Sequence, residues 1–192
     1  GELENLHILT TSGAELWIYE KRKWKRVYID KLAEKDKKRV RKALMDSLGI
    51  GERGLEPLLD DRDSGMTYSA LGKDAPPDLK KPWDPDQKKR KALMEKLSPL
   101  LPGLELKIGG TTSIDFTNLG IDKAYGVRKI IEYTKTDKDD TLFVGDALFQ
   151  GGNDNPVQND DVPIIKTKNP DNTWEIIENL LKAPETIEAS SI

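Results

Sequence analysis

The feature that most constrains this chain is a repeated order of elements between Lys31 and Asn118, namely helix, hairpin, helix, hairpin. Leu32, Val40, Ala43, Leu44 and Leu48 recur at helical spacing, and Gly49 and Gly51 end that run. A hairpin follows, with strands over Leu55 to Asp60 and Met66 to Leu71 about the polar turn Asp61-Arg62-Asp63-Ser64-Gly65. After a proline-rich connector, Asp84-Pro85 is expected to open a second helix, with Asp as N-cap and Pro at the first helical position. Its apolar stripe is Leu93, Met94, Leu97 and Leu100, and Pro102-Gly103 stops it. The second hairpin runs Leu104 to Ile108 and Thr111 to Thr117, turning at Gly109-Gly110. Elements with one apolar face each bury it by layering, which predicts two helices on one face of a four-stranded antiparallel sheet.

The flanks follow a different rule. Leu6 to Tyr19 reads as two short strands about a Ser12-Gly13 turn, and Trp24 to Ile29 as a further strand. Beyond Asn118, Ala124, Val127, Ile130 and Ile131 mark a helix. Thr141 to Val144 and Val162 to Lys166 read as strands, and Asp171-Asn172-Thr173-Trp174 opens a helix through Leu181. Alternating helix and strand implies a parallel sheet. The expected organisation is an α/β core in two pieces, residues 1–20 and 119–192, with an α+β unit over 21–118 inserted between them. Those two pieces are too short to complete a doubly wound sheet, so a further N-terminal segment is expected. The tail from Ala183 has no periodicity and is expected to be loosely held.

Composition excludes several classes of partner. With 36% hydrophobic and 34% charged residues, a core is affordable only under a heavily charged surface. There is no cysteine, so neither disulfides nor thiolate chemistry are available, and a cytoplasmic setting is expected. No apolar run has the length of a membrane span or the form of a signal peptide. A net charge of −3 argues against nucleic acid as a partner. The basic clusters over residues 35–39 and 88–91 fall inside helical patterns and read as solvated helix faces. None of this fixes the oligomeric state.

Three places can carry chemistry. The strand Thr141 to Val144 runs into Gly145-Asp146 and then a loop ending Gly151-Gly152-Asn153-Asp154. Ligands of open α/β sheets bind at such strand ends, and two carboxylates on flexible backbone suit a hard cation such as Mg²⁺. The same residues also make an ordinary polar turn, since Asp and Gly dominate loops. Secondly, alternation puts Ser113 and Asp115 on one side of the last hairpin strand, with Ile114 and Phe116 on the other. That polar side, with Thr67, Ser69 and Arg62 of the first hairpin, either binds sugar hydroxyls or simply faces solvent. Thirdly, Lys123 stands in the first turn of a helix, where a cation helps stability least. Holding a phosphate or a carboxylate would offset that; an exposed lysine is the plain alternative. His7, the sole histidine, reads as structural.

The order of these segments carries a resemblance. Gly120-Ile121-Asp122-Lys123-Ala124-Tyr125-Gly126-Val127, then Leu142-Phe143-Val144-Gly145-Asp146, then Gly151-Gly152-Asn153-Asp154, resembles the third and fourth motifs of the haloacid dehalogenase (HAD) superfamily. The likeness is to subfamily IIB, the branch that holds phosphomannomutases and Cof-type sugar-phosphate phosphatases. Residues 62–73 and 108–116 are similar to the phosphomannomutase substrate-binding segments. The resemblance implies an incomplete HAD-like Rossmannoid parallel core with an inserted αββαββ cap. It implies Mg²⁺ at Asp146, with Asp154 and Asn153 assisting, and Lys123 orienting a nucleophilic carboxylate. In the cap, Arg62, Lys73, Ser113 and Asp115 would hold a phosphorylated sugar or similar small phosphomonoester.

Two departures qualify it. The family's nucleophile, in an Asp-x-Asp-Gly-Thr motif, is absent, as is its second-motif Ser or Thr, so this piece alone is expected to be inactive. Lys73 and Lys80 stand where the mutases have arginines, and lysine lacks the planar two-point fork for phosphate. The expectation is therefore a phosphatase, with a phosphohexomutase as the nearer rival. A non-catalytic phospho-sugar-binding protein is the rival from another class.

Overall fold

The computed structural model describes residues 2–182, which three sheets organise. The first is antiparallel, in the order β1 (His7–Thr10), β2 (Glu15–Glu20), β3 (Lys23–Ile29). Between β1 and β2 the chain turns through three left-handed residues, Thr11, Ser12 and Gly13, with φ of 50°, 56° and 95°. Glycine is required at the third, because a Cβ on Gly13 would stand 2.3 Å from Gly126 Cα. The expected division at residue 20 falls within this sheet. Glu20 pairs with Lys23 and the ladder continues to Glu15 and Ile29. Because hairpin strands stabilise one another as a single ladder, we propose that the first piece runs to Ile29.

The inserted unit follows the expected order. It comprises α1 (Glu34–Leu48), α2 (Glu52–Leu55), β4 (Leu59–Asp61), β5 (Met66–Ser69), α3 (Pro77–Lys80), α4 (Lys88–Leu97), β6 (Leu104–Gly109) and β7 (Ser113–Asn118). The sheet is antiparallel in the order β4-β5-β7-β6. One apolar core joins Leu32, Val40, Leu44, Leu97 and Leu101 to Met66, Tyr68, Ile114 and Phe116. Helix α1 ends at Gly49, which takes φ 67° and donates its N–H to Met45 O.

Three details differ from expectation. Leu55 to Leu58 is helical rather than extended, because Pro57 has no ladder donor and its φ suits a helical first turn. Helix α4 starts at Lys88, not at Asp84-Pro85. Asp84 still caps it from outside, accepting the amide N–H groups of Lys89 (3.0 Å) and Arg90 (3.1 Å). The second hairpin closes at Gly109 and Ser113, so its loop is three residues long. Thr112 in that loop is buried, with its hydroxyl 3.1 Å from that of Ser69.

The third region contains α5 (Lys123–Thr134), β8 (Phe143–Gly145), β9 (Ile164–Lys166) and α6 (Pro170–Lys182). Strands β8 and β9 are parallel, as the alternation implied. Their core is small: Ala124, Val127, Val157 and Val162, with Ile131, Phe143 and Ile164 against it. Among the described residues no helix is long and apolar enough to cross a membrane. The expectation for the tail from Ala183 lies outside the described residues.

Candidate active site

The N-terminus of α5 is set by Asp122, whose Oδ1 accepts the Tyr125 amide N–H at 2.7 Å, and this makes Lys123 the first helical residue. Opposite it, β8 delivers the chain to Gly145 and a loop that folds back on itself. A Cβ on Gly152 would lie 2.0 Å from Ala147 O, and Asp154 N donates to that same oxygen at 3.2 Å. The fold-back carries Asp154 beneath the strand end. A Cβ on Gly145 would sit 2.6 Å from Asp154 Oδ2, so the glycine leaves room for the carboxylate.

Asp154 is fully buried. Its Oδ2 accepts the Ala147 amide N–H at 2.9 Å, and its Oδ1 stands 2.6 Å from Lys123 Nζ. Burial pushes this carboxyl upward, but the Lys123 ammonium and the amides of Ala147 and Asp146 outweigh burial. The net result is a pKa below the ordinary 3.8. The Lys123 side chain remains 38% exposed, so the cation faces both Asp154 and solvent.

Asp146 is exposed, and among the described residues no hydrogen bond or ion pair engages its carboxylate. With Lys123, Thr167, Asn169, Thr173 and Trp174 it lines a cavity of ≈ 500 Å³. A second cavity of ≈ 280 Å³ runs from Asp146 and Asn153 to Gln87, Ile108 and Gly110 of the four-stranded unit. The hairpin end of that unit therefore lies over the glycine-rich loop.

Asp154 Oδ1 is buried and has no hydrogen bond, only the Lys123 ion pair. Asp146 is free, and both groups offer hard oxygen. Among the described residues no three of His, Cys, Asp and Glu gather to hold a metal. Mg²⁺ typically keeps several waters and uses one or two protein carboxylates, so these residues fit it as part of a set.

The remaining expected residues lie on the four-stranded unit. Register places Asp60, Thr67, Asp115 and Lys107 in one row across its polar face. Asp115 Oδ1 accepts the Thr67 hydroxyl at 2.6 Å. Burial raises the Asp115 carboxyl, and Thr67 and the Arg62 charge only partly offset it. Arg62 is exposed, with NH2 2.7 Å from Asp60 Oδ2. Ser113 is half-buried on the same face. Lys73 is exposed, and its carbonyl accepts from Lys80 Nζ at 2.6 Å. Lys123, Asp146 and Asp154 thus come together, with Asn153 on the neighbouring cavity. Ser113 and Asp115 share a face with Arg62 nearby, and among the described residues no hydrogen bond or ion pair joins Lys73 to either group.

One residue was missed. Lys107 reaches from the polar face to Asp122 Oδ2 (3.6 Å) and Ile121 O (3.4 Å), tying the unit to the start of α5. Strand alternation placed Lys107 on that face, but its partner could be read only from the tertiary fold.

A sequence model of eukaryotic phosphomannomutase matches residues 57–183, about two thirds of the chain. A phosphomannomutase of Encephalitozoon cuniculi is 39% identical over 80 residues, covering 41% of this chain and 30% of that protein. The chain spans less than a third of the length of the curated relatives it matches. Among solved structures, Plasmodium falciparum IMP-nucleotidase gives a TM-score of 0.61 at 15% identity, covering 94% of this chain and 45% of that one. A HAD subclass IIB sugar phosphatase gives 0.53 at 13% identity, covering 91% and 75%. These structures share the HAD fold with the chain. By the sequence match, the chain belongs to the eukaryotic phosphomannomutase family.

Proposed function

We propose that the whole protein cleaves the phosphate ester of a small phosphorylated sugar, or a similar phosphomonoester, and releases phosphate in the cytoplasm. The observation that carries this reading is the ion pair of Lys123 with the buried Asp154, beside the free carboxylate of Asp146 at the end of a parallel strand. Asp146, Asp154 and Asn153 would hold Mg²⁺. When bound, that cation supplies positive charge to the phosphate oxygens. Lys123 holds its ammonium on Asp154 and presents the exposed side of it to the phosphoryl group and to the attacking carboxylate.

That carboxylate is an Asp supplied from outside this chain. A groove of ≈ 250 Å³ lined by Leu9, Gly13, Gly126, Val127 and Phe143, with Lys123 beside it, supports this reading. Among the described residues, both β1 and β8 are unpaired on one edge. An apolar strand in the groove would bring a terminal carboxylate to Lys123. The four-stranded unit acts as the cap, with Arg62, Lys73, Ser113 and Asp115 holding the sugar end. Lys80 spends its ammonium on the Lys73 carbonyl, so neither residue offers a second two-point phosphate grip, which favours hydrolysis. The phosphomannomutase match itself favours a second reading, a phosphohexomutase.

The test is made on the full-length protein with a panel of hexose phosphates, following free phosphate and isomerised sugar phosphate together. Free phosphate is expected, abolished by EDTA and by Asp146→Asn. Isomer without phosphate would replace hydrolysis by the mutase reading. Turnover untouched by Asp146→Asn would remove that residue from the site.

A further inference from the structure

A buried polar network joins the β4–β5 turn to the first sheet. Ser64, fully buried, has its Oγ 2.7 Å from Glu15 Oε1 and 3.0 Å from Thr11 Oγ1. Its single proton serves the carboxylate, and the second contact pairs the two hydroxyls. The other oxygen of Glu15, itself 7% exposed, accepts Trp17 Nε1–H at 3.0 Å and lies 3.6 Å from Arg26 NH1. Arg26 also donates to Asp63 Oδ2 at 3.2 Å, and the Asp63 carbonyl accepts the Leu32 amide N–H at 3.0 Å. Gly65 completes the fit, because a Cβ there would lie 2.7 Å from Phe116 O and 3.1 Å from Thr11 Cγ2.

Two adjacent facts give the network a direction. Thr11 belongs to the left-handed turn, and left-handed backbone on Thr and Ser costs conformational free energy that the surrounding contacts must offset. That turn also abuts α5 through the Gly13 and Gly126 contact, three residues after Lys123. A continuous packed path therefore runs from Arg62 through Ser64, Thr11 and Gly13 to the helix that begins with Lys123.

We propose that Glu15 and Ser64 are positioning residues that clamp the β4–β5 turn to the first sheet, fixing Arg62 relative to Lys123. The clamp stands on its own geometry, whereas its service to substrate rests on the function proposed above. A carboxylate suits the role because its two oxygens can accept from both sides at once, Ser64 from one unit and Trp17 with Arg26 from the other. The strained turn holds Thr11 in reach of Ser64.

The absence of cysteine allows a direct test on the 192-residue chain. Spin labels are placed on cysteines introduced at Lys42 and Glu132, whose side chains are 75% and 74% exposed, and their distance distribution is read by pulsed EPR. Ser64→Ala and Glu15→Ala are expected to broaden the distribution and shift it to longer distances. Glu15→Gln keeps one acceptor, for Ser64, but turns an NH2 donor towards Trp17 and Arg26, so its distribution should fall between those of the parent and Glu15→Ala. If Glu15→Ala does not fold, Ser64→Ala, which removes one hydroxyl, decides the matter. A distribution unchanged in Ser64→Ala overturns the clamp. In the full-length enzyme, Ser64→Ala should raise KM roughly 2- to 10-fold with kcat little changed, the effect of one lost hydrogen bond. A clamp that holds by EPR while Arg62→Ala leaves KM untouched would place the failure in the proposed function instead.

Discussion

The four-stranded unit and the α/β region bury their apolar residues very differently. In the former, Leu44, Leu97, Ile114 and Phe116 are all fully buried between two helices and a sheet. In the latter, the buried cluster is Ala124, Val127, Val157 and Val162, and α6 buries no residue at all. Burial is worth about 25 cal/mol per Å², so most of the hydrophobic stabilisation sits in the unit that carries no candidate catalytic group. Lys123, Asp146 and Asp154 sit in the thinly covered region, where order comes from backbone crossings and from ion pairs such as Lys123–Asp154 and Arg128–Asp160. A densely packed sheet is thus set against a candidate site whose packing is open.

The sharpest way to break that contrast is Asp84→Asn. Asp84 Oδ2 lies 2.9 Å from Arg90 Nε, with side chains 1% and 3% exposed, and Arg90 also donates to the carbonyls of Gly109 and Gly110. Removing one charge of a buried pair leaves the other uncompensated, and a loss of about 3–5 kcal/mol is expected. Amide hydrogen exchange should show that loss in β6 and β7 while β8 and β9 keep their protection. Equal loss in both sheets would mean that the two regions open as one.

The next effect is smaller and lies on the other side of the comparison. Lys123→Ala leaves Asp154 buried without its cation, at a cost of about 1–3 kcal/mol because solvent reaches the vacated position. In the parent, the Asp154 carboxyl is held below 3.8, so its contribution is present above the unfolded pKa and is lost as pH falls through the folded one. In the variant burial dominates, and the carboxyl moves above its ordinary value. The two proteins should therefore differ fully at neutral pH and converge in acid. Urea melts between pH 7 and pH 3 read the difference directly, and a gap independent of pH would mean the ion pair does not hold Asp154.

Why these particular features stayed hidden in the sequence has a physical answer. Periodicity exposed what is local: α1 with its Gly49 stop, both hairpins, the parallel β8–β9 pair and the two faces of β7. It failed where a local rule had competitors. Pro57 turned an apparent strand into a helical turn, and Asp84 caps α4 from four residues before the helix starts. The β2–β3 ladder runs across the division expected at residue 20 from the order of elements, because strand pairing is not visible in periodicity. At the site, residue types and spacing indicated Lys123, Asp146 and Asp154, but not that Lys123 pairs with Asp154. The partners of Glu15, Ser64 and Lys107 could not be read from the sequence, because they lie far along the chain.

The smallest expected effect is the most direct gauge of the open packing. Trp174 is 65% exposed on α6, where Ile177 and Leu181 add 39% and 80% exposed surface along the same helix. Trp174→Gln in the 192-residue chain removes little buried area and keeps a good helix former, so stability should move by no more than about 0.5 kcal/mol. The same substitution in the full-length protein tests whether additional chain covers this face. If it does, the indole becomes a buried aromatic whose loss costs on the order of 2 kcal/mol or more. Parallel urea melts of the two lengths give both numbers. An equal, small effect in each would mean that α6 keeps its apolar stripe exposed even in the whole protein, and the contrast between the regions would then belong to the fold itself.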